Sequence, residues 1–349
     1  MMPVRAWGVV ALALCAGCKN KDSATQDTGP SLPTGWFEET GQPDDSDTDT
    51  DTDTQTSSCD GYVVSADPAD GTADWYYRDT LWVYTSSDDP KWYTGRILDP
   101  EGAEVSSSFQ WAETGSAFTL TPDEPLAPAT DYTLETIDCY GLNTYAFTTD
   151  VYGAPIVDGP ASLNGRVFAV DLSAATWVEP EAFGAVLALY FTKPILISVQ
   201  WADSNLIDLL GAPGDISSGG DTVQDLTQRS WDFPVSDFDE QPFFELDGAA
   251  ITIAVSSSAE APVTDFLMAA TFSPDGQSMG GGQISGLADT RSLGSIINQP
   301  DNDNAICDFA QKLAGVECSA CPDGEPYCIQ LTAENVVGNY IEGLVLLPV

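Results

Sequence analysis

The sequence contains no histidine. Histidine is the commonest general base near neutral pH and a leading metal ligand, so Ser-His-Asp and Cys-His catalytic sets and histidine-bound zinc are excluded. Any enzyme built on this chain would have to work with carboxylates, lysine or tyrosine. Positive charge is nearly as scarce: 11 Lys and Arg stand against 54 Asp and Glu, for a formal charge of -43. Such a surface repels phosphate backbones and anionic lipid headgroups, which removes nucleic acid as a partner. Long apolar runs are missing too. The N-terminal one, Ala6 to Leu14, has nine residues where a bilayer span needs about 20. What remains is a chain of 349 residues, 43% hydrophobic and 10% aromatic, too apolar for a disordered protein and long enough for two cored domains.

Arg5 followed by "AWGVVALAL" reads as an export signal. The next residues, "CAGC" at Cys15 to Cys18, resemble a bacterial lipobox: small Ala16 and Gly17 stand immediately before Cys18, although Cys15 takes the place where leucine is usual. The resemblance implies that residues 1–18 are a lipoprotein signal whose Cys18 is lipidated, with an ordinary cleaved secretion signal as the alternative. Membrane attachment is then expected through the N-terminal lipid. Residues 19–58 are Asp, Thr, Ser, Gly and Pro with hardly an apolar side chain, ending in "DDSDTDTDTDTQTSSC". This stretch has too little to bury to offset its ordering entropy, so a disordered, self-repelling acidic tether is expected, reaching roughly 35 Å as a flexible chain and further when charged. Threonine between the aspartates, and no glycine for a sharp turn, leave the repeat without a calcium cage.

Between residues 59 and 150 the pattern turns to short β-branched and aromatic runs, "TLWVYT", "AFTLTP", "DYTLETI" and "TYAFTT", separated by Asp, Gly and Pro. That spacing predicts an antiparallel β-sandwich. With "SADPADGTA", "LWVY", "FTLTPDEPLAPATDYTLET" and "FTT" in order, the segment resembles the bacterial immunoglobulin-like domains of surface-layer and adhesin-type proteins. The most specific stretch holds Leu126, Pro128, Thr130, Tyr132 and Thr133. The resemblance covers about ninety residues and implies a spacer or binding module rather than a catalyst. Cys59 at the first strand and Cys139 in a late one are placed to staple the sandwich, worth about 4 kcal/mol for a loop of that length.

Residues 151–349 continue strand-like, with "GRVFAVDL", "AVLALYFT", "PILISVQW", "AAITIAV" and "DFLMAATF". Several are apolar on both faces and predict strands buried in a larger sheet, as a sandwich or a barrel. Two helices are expected, over Ala305 to Val316 with Ile306, Phe309 and Leu313 on one face, and over Thr332 to Tyr340. The fold class is therefore all-β in the main, and the order of segments looks like that of surface lipoproteins from large-genome, predatory or soil bacteria.

The candidate motifs mostly fail on their surroundings. "GQSMG" at Gly276 to Gly280 fits a nucleophile elbow, but no histidine exists and "GGGQISG" does not open a helix, so a hairpin turn is expected. "DTG" at Asp27 to Gly29 sits in the tether without the strand an aspartic protease needs. "DNDNAICDFAQK" from Asp301 has Ala305, Ile306 and Lys312 where an EF-hand needs ligands and glycine. With Cys15 and Cys18 in the leader, six cysteines remain: Cys59, Cys139, Cys307, Cys318, Cys321 and Cys328. The last four admit a zinc site, a redox pair or two structural disulfides. Export favours disulfides, with three connectivities open. "DWYYRD" and "KWYTGR" concentrate aromatic rings, expected mostly as sandwich core and otherwise as a glycan-binding patch.

No catalytic, metal or cofactor residue is singled out. The expected function is non-catalytic: a lipid-anchored envelope protein, placed in the outer membrane, that displays β domains for binding, adhesion or scaffolding toward an envelope protein or glycan. The alternatives are a carrier of an apolar ligand in the second domain and a histidine-free hydrolase such as a two-carboxylate glycosidase.

Overall fold

In the computed structural model the residues described are 59–113, 115–180, 193–256 and 259–349. The leader with Cys15 and Cys18, the acidic tether with its "DTG", and the "AVLALYFT" run lie outside them. The first sheet takes β1 (Val63–Asp67), β3 (Leu81–Thr85), β7 (Ala117–Pro122) and β6 (Ser107–Trp111) in that order. The second takes β2 (Thr72–Trp75), β9 (Gly141–Thr149), β8 (Asp131–Asp138), β4 (Thr94–Leu98) and β5 (Glu104–Val105), with β2 parallel to β9 and the rest antiparallel. Alternation along each strand sends one set of side chains inward. Leu81, Val83, Phe118 and Leu120 from one sheet thus meet Trp75, Ile97, Leu134 and Phe147 from the other in a single apolar cluster.

The stretch from Leu126 to Thr133 locks the turn into β8. Leu126 is buried, and the Ala127 N–H donates to the Tyr132 hydroxyl at 2.9 Å. Thr149 closes the same turn, donating to the Ala127 carbonyl at 2.7 Å and accepting the Thr130 N–H at 2.9 Å. The Tyr132 side chain thus holds the backbone just upstream of its own strand.

The remaining strands build one sheet of eleven. Its main path runs β14 (Thr222–Gln224), β13 (Leu206–Ile216), β12 (Ile195–Ala202), β10 (Val167–Val170), β20 (Cys328–Tyr340), β19 (Ser278–Asp289), β18 (Ala259–Phe272) and β17 (Phe243–Ser256). Short β11 (Thr176–Glu179) pairs with β20, and β15 (Trp231–Asp232) and β16 (Ser236–Asp237) pair with β13. The long hairpins are interrupted by register shifts near Leu246, Thr264 and Gly282. Such bulges bend a strand and increase its twist, so this sheet curls around its own core. Inside it Phe272 packs against Phe168, Phe238 and Phe244 at centroid distances of 5.3, 6.1 and 5.0 Å, and all four rings are fully buried. The interior is filled by side chains. On the opposite face Val167, Leu196, Leu210 and Ala212 are covered by Leu346, which accounts for strands apolar on both sides.

One of the two expected helices forms. Helix α1 (Ala305–Ala314) buries Ile306 and Ala310 and ends at Gly315, whose φ of 69° suits glycine. Leu313, expected on the buried face, is 54% exposed. Thr332 to Tyr340 is not helical but belongs to β20, paired with β10 and β19. Hydrogen bonds from two flanking strands decide this segment, and its local helical spacing loses. Cys59 and Cys139 are also displaced from expectation: Cys59 precedes β1, and Cys139 lies in the β8–β9 turn rather than in a strand.

Candidate functional site

Aromatic rings were the one feature of the sequence that pointed to a surface site, and the structure distributes them over three settings. The loop after β2 carries Tyr76, Tyr77 and Arg78 into the seam between the sandwich and the curled sheet. The Tyr76 hydroxyl bonds Thr271 Oγ1 at 2.7 Å, and Arg78 pairs with Glu240 at 2.5 Å while stacking 3.9 Å from the Phe243 ring centroid. Tyr152, just after the sandwich, bonds Ser278 at 3.1 Å. The Tyr76 ring lies against the backbone of Gly281 and the Tyr152 ring against Gly280, in the space a side chain would occupy. "DWYYRD" is therefore a seam, with Trp75 and Tyr77 buried, and it offers no patch for a glycan.

Two acids line the same seam. Burial, with repulsion from Glu334 and Asp67, pushes the Asp79 carboxyl up to about 7. Asp150, 8% exposed, is also pushed up to about 7, chiefly by burial, against the lowering effect of the Tyr152 N–H at 3.1 Å, with repulsion from Asp79 and Asp74 adding to it. Perturbed carboxylates often mark chemistry; here the Asp150 carboxylate accepts from the Tyr152 N–H and each backbone is tied to the segment that carries the seam tyrosines, Asp79 to Tyr76 and Asp150 to Trp75.

"KWYTGR" is divided between core and surface. Tyr93 is buried against Trp111, Lys91 lies 4.5 Å above the half-buried Trp92 ring, and Arg96 pairs with Glu135 at 2.6 Å.

Two aromatic pairs do face solvent: Tyr62 with Tyr140, edge to face at 6.3 Å, and Trp82 with Tyr84 on the outer face of β3. Leu81, Val83 and Thr85 alternate with them and turn inward. The Trp82 and Tyr84 rings are 39% and 43% exposed, with centroids 6.4 Å apart and planes within 18° of parallel. Antiparallel register sets Asp67, Trp82, Thr119 and Gln110 in one row across four strands, with Ser65 opposite Tyr84. Partial burial and the nearby Asp67 carboxylate push the Tyr84 phenol up. Density of rings along the chain pointed elsewhere, yet the signal was present: in "TLWVYT" alternation that buries Leu and Val must expose Trp and Tyr.

The cysteines pair as Cys59–Cys139, Cys307–Cys318 and Cys321–Cys328, with Cα separations of 5.6, 5.6 and 5.1 Å. The last two tie α1 and its following loop to the start of β20. "GQSMG" lies at the β18–β19 hairpin, where Gly276 has φ 63° and Ser278 opens a strand. Asp301 and Asp303 are exposed in the turn before α1. Among the described residues no group of three His, Cys, Asp or Glu side chains is placed to hold a metal ion, and no helix is long and apolar enough to cross a membrane.

No known family's sequence profile matches the chain, and no curated protein does. Among solved structures, CopC from Methylosinus trichosporium OB3b is similar at 19% identity and a TM-score of 0.22, over 26% of this chain and 93% of its own. The N-terminal part of the bacterial S-layer protein SbsC is similar at 12% identity and a TM-score of 0.21, over 46% of this chain and 42% of its own. A longer piece of the same protein, domains 1–6, gives 9% identity and a TM-score of 0.20 over 82% of this chain and 53% of its own. Scores near 0.2 describe no shared whole-chain fold.

Proposed function

We propose that this chain is an exported, lipid-anchored envelope protein that displays two β-rich modules joined across a packed seam and acts by non-catalytic binding. The observation that carries the binding reading is the Trp82–Tyr84 pair, with near-parallel rings, left partly in solvent on an otherwise polar sheet face. Three disulfides support export, because such bonds persist in oxidising compartments. Cys18 is the lipidation site in this reading and residues 19–58 the tether, with the outer membrane as the anchoring membrane. The side-chain-filled interior of the curled sheet counts against a carrier of apolar ligands.

Two measurements test the reading. Cys18→Ser should move the protein from the detergent-rich to the aqueous phase, and unchanged partitioning would end the lipid-anchor proposal. Purified protein should bind isolated cell-envelope material and lose that binding with Trp82→Ala. Hydrolysis of a glycan substrate that disappears in Asp79→Asn or Asp150→Asn would instead establish the two-carboxylate enzyme.

A further inference from the structure

We infer that the free edge of β6 binds an extended, cationic peptide segment as an added strand of the β1–β3–β7–β6 sheet. This goes beyond the binding reading above, which rests on another surface, and gives the sandwich a second one with its own kind of partner. β6 ends its sheet with β7 on one side, and among the described residues no strand pairs with the other. The Asp123 N–H donates to the Ser106 carbonyl at 3.0 Å and the Ala112 N–H to the Ala117 carbonyl at 3.0 Å, so in antiparallel register the backbones of Ser108 and Gln110 face β7. Those of Ser107, Phe109 and Trp111 face away, and among the described residues nothing bonds to their N–H or carbonyl groups.

Sheets usually blunt such edges with charge, proline, bulges or brevity. The other edges among the described residues follow that rule: β1 and β17 are broken by register shifts, β2 has four residues and a shift, β5 has two residues and β14 three. β6 is five residues of regular pairing, Ser-Ser-Phe-Gln-Trp, with neither charge nor proline. Its inward side is also left incomplete. The Phe109 ring stacks on buried Phe118 at 4.7 Å, yet at the rim of the sheet it stays 41% exposed. An added strand would cover that ring with its own apolar residues opposite Phe109 and Trp111 while bonding the three free backbone positions.

Charge chooses the occupant. Exposed Glu104 and Asp123 stand at one end of β6 and exposed Glu113 at the other. Lys91 and Arg96 of the same sandwich are already paired, with Asp89 and Glu135, and Arg96 reaches Glu104 only at 3.9 Å. A second copy of a chain carrying -43 would bring like charge to this edge. The partner that fits is a strand of about five residues, roughly 17 Å long, alternating apolar with small polar side chains and carrying Lys or Arg at both ends.

The test is fluorescence anisotropy of the labelled peptide Lys-Lys-Val-Thr-Val-Thr-Val-Lys-Lys with full-length protein in mild detergent. Saturable binding is expected, with none when glutamate replaces every lysine. Methylating the backbone nitrogens of the valines, which face β6 in this register, should abolish binding, whereas methylating those of the threonines should leave it. Ser107→Pro removes only an outward N–H, a change that edge strands accept, so the thermal midpoint should stay at its wild-type value. Peptide binding should weaken roughly tenfold, the worth of one lost main-chain bond. The inference is overturned if the lysine peptide fails to bind, or if the two methylated peptides bind alike and Ser107→Pro binds as tightly as wild type, which would mark mere attraction to an acidic chain. A dimer that Ser107→Pro dissociates would put a second copy on the edge and equally overturn it. Envelope binding that depends on Trp82, in a protein that ignores the peptide, would sink the edge site and leave the broader binding function standing.

Discussion

Asp79 and Asp150 keep their protons at pH values where ordinary carboxyls have lost them, because the seam around them cannot solvate charge. Their folded values, about 7, lie above the ordinary 3.8, so between these limits the folded state holds more protons than the unfolded chain. Stability from these groups is therefore complete below about pH 4 and is lost as pH rises toward 7. The carboxyls held low by their hydrogen bonds, such as Asp138, Asp225 and Asp289, act in the opposite sense and only at acid pH. With no histidine in the chain, a pH dependence between 5 and 8 belongs to the two seam acids. Two such groups titrating over about two pH units set an upper bound of about 5 kcal/mol, reduced by the partial solvation of Asp150, so chemical unfolding should show the protein roughly 2–5 kcal/mol less stable at pH 8 than at pH 5. The double variant Asp79→Asn, Asp150→Asn should flatten that difference, and a wild type equally stable at both pH values would refute the account. A second residue-scale expectation concerns Tyr132: its hydroxyl receives the Ala127 N–H, so Tyr132→Phe should cost about 1 kcal/mol in denaturant unfolding.

The loop from Tyr76 to Arg78 and Tyr152 of the short linker after the sandwich both join the two parts of the molecule. Gly281 has φ 58° and no room for a Cβ against the Tyr76 ring. Gly281→Val should therefore force the ring out and open the seam. Limited proteolysis would then cut near residues 151–155 many times faster than in wild type, and equal rates would show that the seam tolerates the wedge. The bond from Cys59 to Cys139 closes a loop of 80 residues, so Cys59→Ser with Cys139→Ser should lower stability by about 4 kcal/mol in the chain-entropy picture.

How far such elements were legible differs by cause. The sandwich was readable because its strands alternate, and alternation is a local consequence of the pleat. The C-terminal helix was readable from Ile306 and Gly315 together. Tyr76 and Tyr77 were not, because period-two patterning says which side of a strand is apolar and nothing about a second sheet arriving to cover it. β20 was misjudged for the same reason, since its partners β10 and β19 lie at long sequence distance and supply the hydrogen bonds that fix it. The exposed Trp82–Tyr84 pair followed from the pattern of β3 and needed only that strand's inner face to be identified.

At the scale of the whole molecule the excess of acid has to be carried by a β fold with few cations to balance it. Several of those cations are committed: Arg78 to the seam, Arg96 to Glu135, Arg291 to Asp289 and Asp323, and Lys193 to Asp215 and Asp225. Long-range repulsion is screened beyond about 10 Å at 0.1 M salt. Thermal stability should therefore rise by a few degrees between 10 mM and 200 mM sodium chloride, and a falling midpoint would mean that the ion pairs outweigh the repulsion. Thiol titration of the denatured, unreduced protein should find no reactive sulfur among Cys59, Cys139, Cys307, Cys318, Cys321 and Cys328.

The position of β20 sets the order in which the larger sheet can be completed. It lies between β10 and β19, so among the described strands it joins β14–β13–β12–β10 to β19–β18–β17 along the main path. A chain emerging from a ribosome or a secretion pore presents these as two half-sheets, each with an unsatisfied edge, until residues 328–340 arrive. Until then each edge is a template for foreign strands. The larger sheet is thus a late-closing one, whose two halves stay unjoined until residues 328–340 are in place.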